Sequence, residues 1–235
     1  MLVKHFMTKH VFTVEPEESM QRALNLLKEH KVNMLPVVQE GNVVGIVSDR
    51  DLKRASASDA TVLDAHELRY LLNKIKIKDI MSKNPVTVPP DYTIEETAEV
   101  LMTHHISGAP VLDEQGRMVG VITRNDLFKA LIALSGLGKK GILFAFQVED
   151  RPGTIKEISD VIRQYGARIG SIMTSYDRVR EGWRNVFIRA YDIDRSRMDQ
   201  MLQDLQRQAQ MLYLVDHKEN VRRIFSEGAP ASFQV

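Results

Sequence analysis

The 235-residue chain contains no cysteine. Disulfides, thiolate nucleophiles and cysteine-held metals are thereby excluded, and a reducing compartment is compatible with the composition. Charge of neither sign is in excess: 32 basic and 31 acidic side chains leave a net charge of +1. Proteins that grip nucleic acid or anionic lipid carry a clear basic surplus, so no nucleic-acid or membrane partner is expected. No apolar run approaches membrane-spanning length. Polar residues Lys4, His5, Thr8 and Lys9 interrupt the first ten positions, which therefore do not read as a signal peptide. A cytoplasmic location is expected. What is present, 43% hydrophobic and 27% charged residues, suits a soluble globular chain of two modest domains or one large one.

Two stretches organise the chain, and each repeats the other. Met34-Leu35-Pro36-Val37-Val38 runs through Gly41 to Gly45-Ile46-Val47-Ser48-Asp49-Arg50-Asp51-Leu52. Gly108-Ala109-Pro110-Val111-Leu112 runs through Gly116 to Gly120-Val121-Ile122-Thr123-Arg124-Asn125-Asp126-Leu127. Pro36 and Pro110 lie 74 positions apart, and Asp51 and Asp126 lie 75 apart. One residue is inserted in the turn between the strands, and the register otherwise marks a duplicated unit. Each copy has a lead-in (Phe6–Lys9, Ile80–Lys83) and a short extended piece (Val11–Val14, Val86–Val88). A helix follows, then two strands around a glycine turn, then a helix from Asp49 or Arg124. The first inward face is predicted as Met20, Ala23, Leu24 and Leu27 with Ser19 as cap. The second is Ile94, Ala98 and Leu101 behind a Thr93–Glu96 capping box. Each copy is thus β-α-β-β-α and too small for a comfortable core, so the two are expected to pack together.

The boundaries follow. Residues 4–58 form the first repeat and 59–77 a linker, with Ser56–Asp59 as loop and an amphipathic helix after it. Residues 78–134 form the second repeat, and 135–141 a glycine-rich hinge. From 142 to 217 the pattern changes to strand, helix, a hairpin around Asp177-Arg178, a helix from Arg195 to Gln208, and a final strand, Met211–Val215. That β-α-β-β-α-β order is ferredoxin-like. Residues 218–235 read as a tail, frayed from about Glu227.

Ser48-x-x-Asp51 and Thr123-x-x-Asp126 have a plain explanation, because a hydroxyl and a carboxylate three residues on cap a helix start without any ligand. The same geometry also presents a hydroxyl and a carboxylate beside a helix N-terminus. A carboxylate accepting both hydrogen bonds of a vicinal diol is a common ribose grip. Neighbouring amides and Arg50 or Arg124 favour phosphate. Leu35-Pro36-Val37 and Ala109-Pro110-Val111 offer an apolar wall for a purine face.

These paired strand-Pro-Val and G-h-h-[ST]-x-x-D segments resemble tandem CBS domains, the Bateman module, over roughly Lys4 to Leu134. The resemblance implies a cleft for adenosine-containing ligands such as AMP, ADP, ATP or S-adenosylmethionine. One site would take Thr13, Ser48 and Asp51, with backbone from Asn33, Met34, Leu35 and Pro36 against the base. The other would take Thr87, Thr123 and Asp126, with Ser107, Gly108, Ala109 and Pro110. Arg50 and Asn125 fall where family members often touch ribose or phosphate. Asn33 and Ser107 stand at positions that are often basic in members that hold phosphates tightly, and both are neutral here.

Residues 142–217 resemble an ACT domain, a small ligand-sensing module. The resemblance implies that the turn Asp150-Arg151-Pro152-Gly153-Thr154 could hold an amino acid, its carboxylate on the amides of Gly153 and Thr154. Pro152 and Gly153 are also explained as a tight helix start alone. ACT domains usually pair edge to edge, so a homodimer is expected, which also covers a sheet edge. Two CBS repeats with one ACT domain, the Ser48–Ser56 segment and the Glu67–Leu72 linker are together similar to the acetoin utilization protein family, B-type. No nucleophile–base pair has a motif around it, and His104-His105 point apart with no third ligand at metal spacing. Lys139-Lys140 is too short for a nucleic-acid patch, and Met198, Met201 and Met211 read as core. A regulatory, non-catalytic binding protein acting on an unidentified protein is expected, with no enzyme cofactor and no metal. The alternative is a scaffold whose clefts are vestigial.

Overall fold

The computed structural model describes residues 1–59, 70 and 72–225. Two compact units divide the chain, Met1–Ala130 and Leu131–Val235, and both mix helices with antiparallel sheet.

In the first unit, helix α1 (Met20–His30) starts at Ser19, whose side chain accepts the Arg22 amide at 3.3 Å. Strands β1 (Met34–Gln39) and β2 (Asn42–Ser48) pair antiparallel, with Leu35 opposite Val47 and Val37 opposite Gly45. Helix α2 (Asp49–Asp59) follows directly. The loop expected at 56–59 is the last turn of this helix, since no glycine or proline stands between 49 and 59 to stop it. The linker helix expected beyond it falls largely on 60–69 and 71, outside the described residues.

The second copy repeats the plan. A short helix α3 (Ile77–Ile80) and strand β3 (Ser82–Lys83) lead into helix α4 (Ile94–Thr103). The expected capping box starts α4: Thr93 Oγ1 accepts the Glu96 amide at 3.1 Å, and Glu96 accepts the Thr93 amide at 2.7 Å. Strands β4 (Gly108–Leu112) and β5 (Met118–Thr123) and helix α5 (Arg124–Leu134) complete it. The inward faces of α1 and α4 differ from expectation in the same way. Leu26 is buried where Leu24 was expected, and Thr97 is buried where Ala98 was. Both buried stripes centre on the i+3 position, Ala23 or Thr97, leaving i+4 at the margin. Thr97 is buried without penalty because its hydroxyl donates to the Thr93 carbonyl at 2.9 Å.

Each copy has its own core, and each core borrows the other copy's lead-in. Ile77, Ile80 and Met81, at the start of the second copy, pack with Leu35, Val37, Val47 and Leu52 of the first. Val3, Phe6 and Met7, at the start of the first, pack with Val88, Ala109, Val111 and Ile122 of the second. The backbone repeats the exchange. Met20 N–H donates to Ile75 and Ile94 N–H to Met1, while Ile77 N–H donates to Glu18 and Val3 N–H to Tyr92. Lys83 of β3 pairs with Gly45, and Thr8 bridges Val121. The glycines of the repeated strands make this crossing possible. A Cβ at Gly45 would meet Met81 Sδ at 2.6 Å, and one at Gly120 would meet Met7 Sδ at 2.8 Å and the Thr8 carbonyl at 2.9 Å.

The second unit comprises β6 (Ile142–Glu149), α6 (Thr154–Gln164), β7 (Arg168–Ser175), β8 (Trp183–Tyr191), α7 (Met198–Gln208), β9 (Gln210–Asp216) and β10 (Val221–Ile224). They form one antiparallel sheet in the order β10-β9-β6-β8-β7. Strand β10 replaces the expected tail: it pairs with β9, so Met211–Val215 lies within the penultimate strand rather than the last. Its charged sequence, Val221-Arg222-Arg223-Ile224, hid an exposed edge strand from hydrophobic patterning. Helices α6 and α7 place Ile158, Ile162, Met201, Leu202 and Leu205 against Phe144, Phe146, Val186 and Ile188. Met198 packs against that core, and Met211 belongs to it. Trp183 is half-buried, with the Arg180 guanidinium 3.8 Å over its ring.

Candidate functional site

The two S/T-x-x-D motifs sit at the strand-to-helix joints β2/α2 and β5/α5. In the first, Asp51 Oδ2 accepts the Ser48 amide at 3.0 Å and its hydroxyl at 2.6 Å. Arg54 approaches Oδ1 at 3.3 Å. In the second, Asp126 Oδ2 accepts the Thr123 amide at 3.0 Å and hydroxyl at 2.8 Å, and Lys129 donates to Oδ1 at 2.9 Å. Each carboxylate thus folds back onto the residue that precedes its helix, and in the first copy Ser48 Oγ also accepts the Asp51 amide at 3.3 Å, as a helix cap does. In each, a lysine or arginine three residues on already occupies the second carboxylate oxygen. A diol reaching Oδ1 has to share it with that cation or displace it.

The surroundings differ. The Asp126 side chain is 4% exposed and lines a cleft of about 550 Å³, a volume that suits a small molecule. Its walls bring the two copies together. Thr123, Arg124, Asn125, Asp126, Phe128 and Lys129 come from the β5/α5 joint, with Ser107 beside them. The opposite wall is Thr8, His10, Val11 and Phe12 with His30, Lys31, Val32, Asn33 and Met34. Of the candidates read from the sequence, Asn33, Met34, Ser107, Thr123, Asn125 and Asp126 meet here.

Thr87 does not join Asp126 there, and its place is taken by first-copy residues His10 to Phe12. The reason is the exchange: the Thr8–Val121 bridge draws the first lead-in onto β5. Thr13 and Thr87 are both exposed outside this cleft, as is Arg50, and Ser48 and Asp51 lie at the other joint. Leu35, Pro36, Gly108, Ala109 and Pro110 are buried strand residues. Met34 and Gly108, equivalent in the repeats, face each other: a Cβ on Gly108 would lie 2.7 Å from Met34 Sδ. The missed residues are mainly His10, Phe12, His30, Lys31 and Lys129. Phe12 and His30 stack with ring centres 3.6 Å apart and planes 8° apart. Lys31 caps α1 in the left-handed region, at φ 52°. Lys129 had a readable signal in its spacing from Asp126, but the others come from the far half. Five basic or imidazole side chains thus face one carboxylate, so the neutrality of Asn33 and Ser107 does not leave the cleft uncharged.

The Asp150–Thr154 turn lies in the second unit. Arg151 makes a two-pronged ion pair with Glu157 at 2.9 and 2.7 Å, and its hydrogen bonds hold the Glu157 carboxyl below the usual range. Thr154 is buried and donates to the carbonyls of Glu149 and Arg151. Arg151 and Thr154 line a cleft of about 470 Å³ together with Trp183 and Gln210. Among the described residues no cluster could hold a metal ion, and no helix is long and apolar enough to cross a membrane.

Two repeats with exchanged lead-ins enclose one cleft lined by Lys31, Arg124 and Lys129 against Asp126. The family model described as "CBS domain" matches residues 3–58 and 77–133. A CBS domain-containing protein of Dictyostelium discoideum is 36% identical over 132 residues, covering 56% of this chain and 91% of that protein. An inosine-5'-monophosphate dehydrogenase of Korarchaeum cryptofilum is 33% identical over 123 residues, covering 52% of this chain but only 23% of the enzyme. Among solved structures, CBSX2 in complex with AMP is 32% identical, covers 56% of this chain and 96% of that one, and has a TM-score of 0.46. The CBS domain pair of protein MJ0100, in complex with 5-methylthioadenosine and S-adenosyl-L-methionine, is 31% identical, covers 56% and 95%, and has a TM-score of 0.48. The chain belongs to the CBS-domain proteins and carries a tandem CBS pair, the Bateman module.

Proposed function

We propose that the chain is a regulatory protein whose CBS pair binds an adenosine-containing ligand, AMP, ADP, ATP or S-adenosylmethionine, in the cleft at Asp126. The observation that carries this reading is the meeting of Asp126, Arg124 and Asn125 with Asn33 and Met34 in one cleft. Asp126 Oδ1 takes the ribose, the cations Lys31, Arg124 and Lys129 face the phosphates, and Met34 packs on the base. Titration with each of the four ligands should raise the melting temperature for at least one. The double variant Asp51→Ala/Asp126→Ala should lose that response. Identical responses in wild type and double variant would rule the site out.

The second unit is read as a ferredoxin-like ACT domain, which its β-α-β-β-α-β order supports. An amino acid at Asp150–Thr154 and an acetoin-utilization-type role belong to the same proposal. Equilibrium dialysis against the twenty amino acids tests the first, and loss of growth on acetoin in a deletion strain tests the second. A homodimer is supported by the exposed apolar stripe Phe128, Leu131 and Ile132 of α5, and sedimentation equilibrium tests it. Ligand binding regulates an unidentified protein by favouring one arrangement of the repeats, a coupling of about 1–3 kcal/mol in typical cases.

A further inference from the structure

The second unit carries a cationic cleft that neither the CBS motifs nor the Asp150–Thr154 turn accounts for. It has a volume of about 580 Å³ and lies where β6 and β7 begin and β8 ends. Lys139, Lys140, Arg168, Arg195 and Lys218 line it, against a single carboxylate, Asp192. Two of these cations are matched. Arg195 is held by Asp216 at 2.5 and 3.1 Å, and Arg168 stands 3.7 Å from Asp192. Lys139, Lys140 and Lys218 have no carboxylate within 4.0 Å among the described residues, although the Lys139 ammonium lies 5.6 Å from the centre of the Tyr191 ring.

These lysines are placed by an anchored backbone. The Ser135 carbonyl accepts the Ser171 hydroxyl at 2.8 Å and Arg189 Nε at 2.6 Å. At the other end of the segment, a Cβ on Gly141 would lie 2.1 Å from the Ala190 carbonyl oxygen, so only glycine permits the approach to β8. The Gly141 carbonyl in turn accepts the His217 amide at 3.3 Å, next to Lys218.

A further positive charge is buried next to the segment that carries these lysines, although it does not line the cleft. Arg189 is 4% exposed and has no carboxylate partner among the described residues; its contacts are the Ser135 carbonyl and His217 Nδ1, at 3.1 Å. Burying a guanidinium without a counter-charge is costly, and an anion nearby relieves that cost. Three unmatched ammonium groups converging on one cleft repel each other until an anion joins them.

We propose that this cleft binds a phosphate-bearing small molecule, at a site separate from the CBS cleft. Lysine ammonium groups act as compact point charges for phosphate, and an open cleft of this volume, with its lysines exposed, can admit a metabolite. The proposal does not rest on nucleotide binding by the CBS pair. The test uses the full chain, with inorganic pyrophosphate as probe and sodium chloride at matched ionic strength as control. Calorimetric titration of wild type should show saturable binding. Lys139→Gln/Lys140→Gln/Lys218→Gln should weaken it by about tenfold or more and leave the response to AMP unchanged. Binding that survives in this variant but is lost in Lys31→Gln/Lys129→Gln would overturn the proposal, because the anion would then occupy the CBS cleft. A pyrophosphate response no larger than that of sodium chloride would also overturn it.

Discussion

The two CBS repeats share the order helix, strand, strand, helix, the same carboxylate-to-hydroxyl contact and an exchange of lead-ins, yet they do not present the same surface to a ligand. Asp126 is 4% exposed at the wall of the 550 Å³ cleft, whereas the Asp51 side chain is 14% exposed and lies outside it. Across the repeat axis, Met34 projects where its counterpart Gly108 has no side chain. The cores differ too: Leu52 is fully buried, while its counterpart Leu127 is only half-buried. A duplicated motif fixes the local cap twice. What stands opposite each cap depends on residues the duplication did not preserve.

The asymmetry in packing gives the largest expected effect. Leu52→Ala should cost about 2–5 kcal/mol and Leu127→Ala less than half of that, read as urea midpoints. Equal losses would mean that the two cores are equivalent after all. Next is the asymmetry in binding. At a ligand concentration about a hundredfold above Kd, the stabilisation is about 2.7 kcal/mol. Asp126→Ala should abolish it and Asp51→Ala should retain most of it, with Asp126→Asn as a control for the helix cap. If Asp51→Ala is the damaging change, the live site has been assigned to the wrong half. The exchange itself should be symmetric. Gly45→Ala and Gly120→Ala each place a Cβ within 3.0 Å of a crossing methionine sulfur and should cost about 1–3 kcal/mol in thermal unfolding. A loss in only one variant would show that only one crossing is tightly packed.

The smallest effect uses the second unit as a contrast. Burial alone would raise the Asp216 carboxyl, but the Arg195 guanidinium and the amides of Glu219 and Lys218 hold it below its ordinary value of 3.8. A group with a lowered folded pKa contributes stability that is complete above the unfolded value and is lost as pH falls through the folded one. Arg195→Gln should therefore move acid unfolding of this unit to higher pH. Trp183, the only tryptophan of the chain, reports it by fluorescence. An unchanged acid midpoint would mean that Arg195 contributes little to holding Asp216.

Much of the fold was legible because it is written locally. Ser19 and the Thr93–Glu96 box announced their helices, and the strand-Pro-Val and glycine-turn segments announced β1, β2, β4 and β5. Met201, read as core, lies on the buried face of α7 with Leu202 and Leu205. Strand β10 was not legible, because an exposed edge with two arginines carries no alternating apolar signal. Of the residues lining the candidate cleft, Asp126, Thr123, Asn125, Asn33, Met34 and Ser107 could be named from the sequence, whereas His10 to Phe12 could not, and Thr87 lies outside the lining.

By itself the sequence determined that there are two matched units, where helices such as α1 and α4 begin, and that each unit carries a carboxylate three residues after a hydroxyl at a strand-to-helix joint. Those properties depend on residues within a few positions of one another. Only the tertiary structure decided that each lead-in serves the opposite core, and so which residues face Asp126. That choice rests on backbone pairing between Thr8 and Val121, and between Lys83 and Gly45. Contacts so distant along the chain are selected by burial and hydrogen bonding of the whole unit, not by any local pattern.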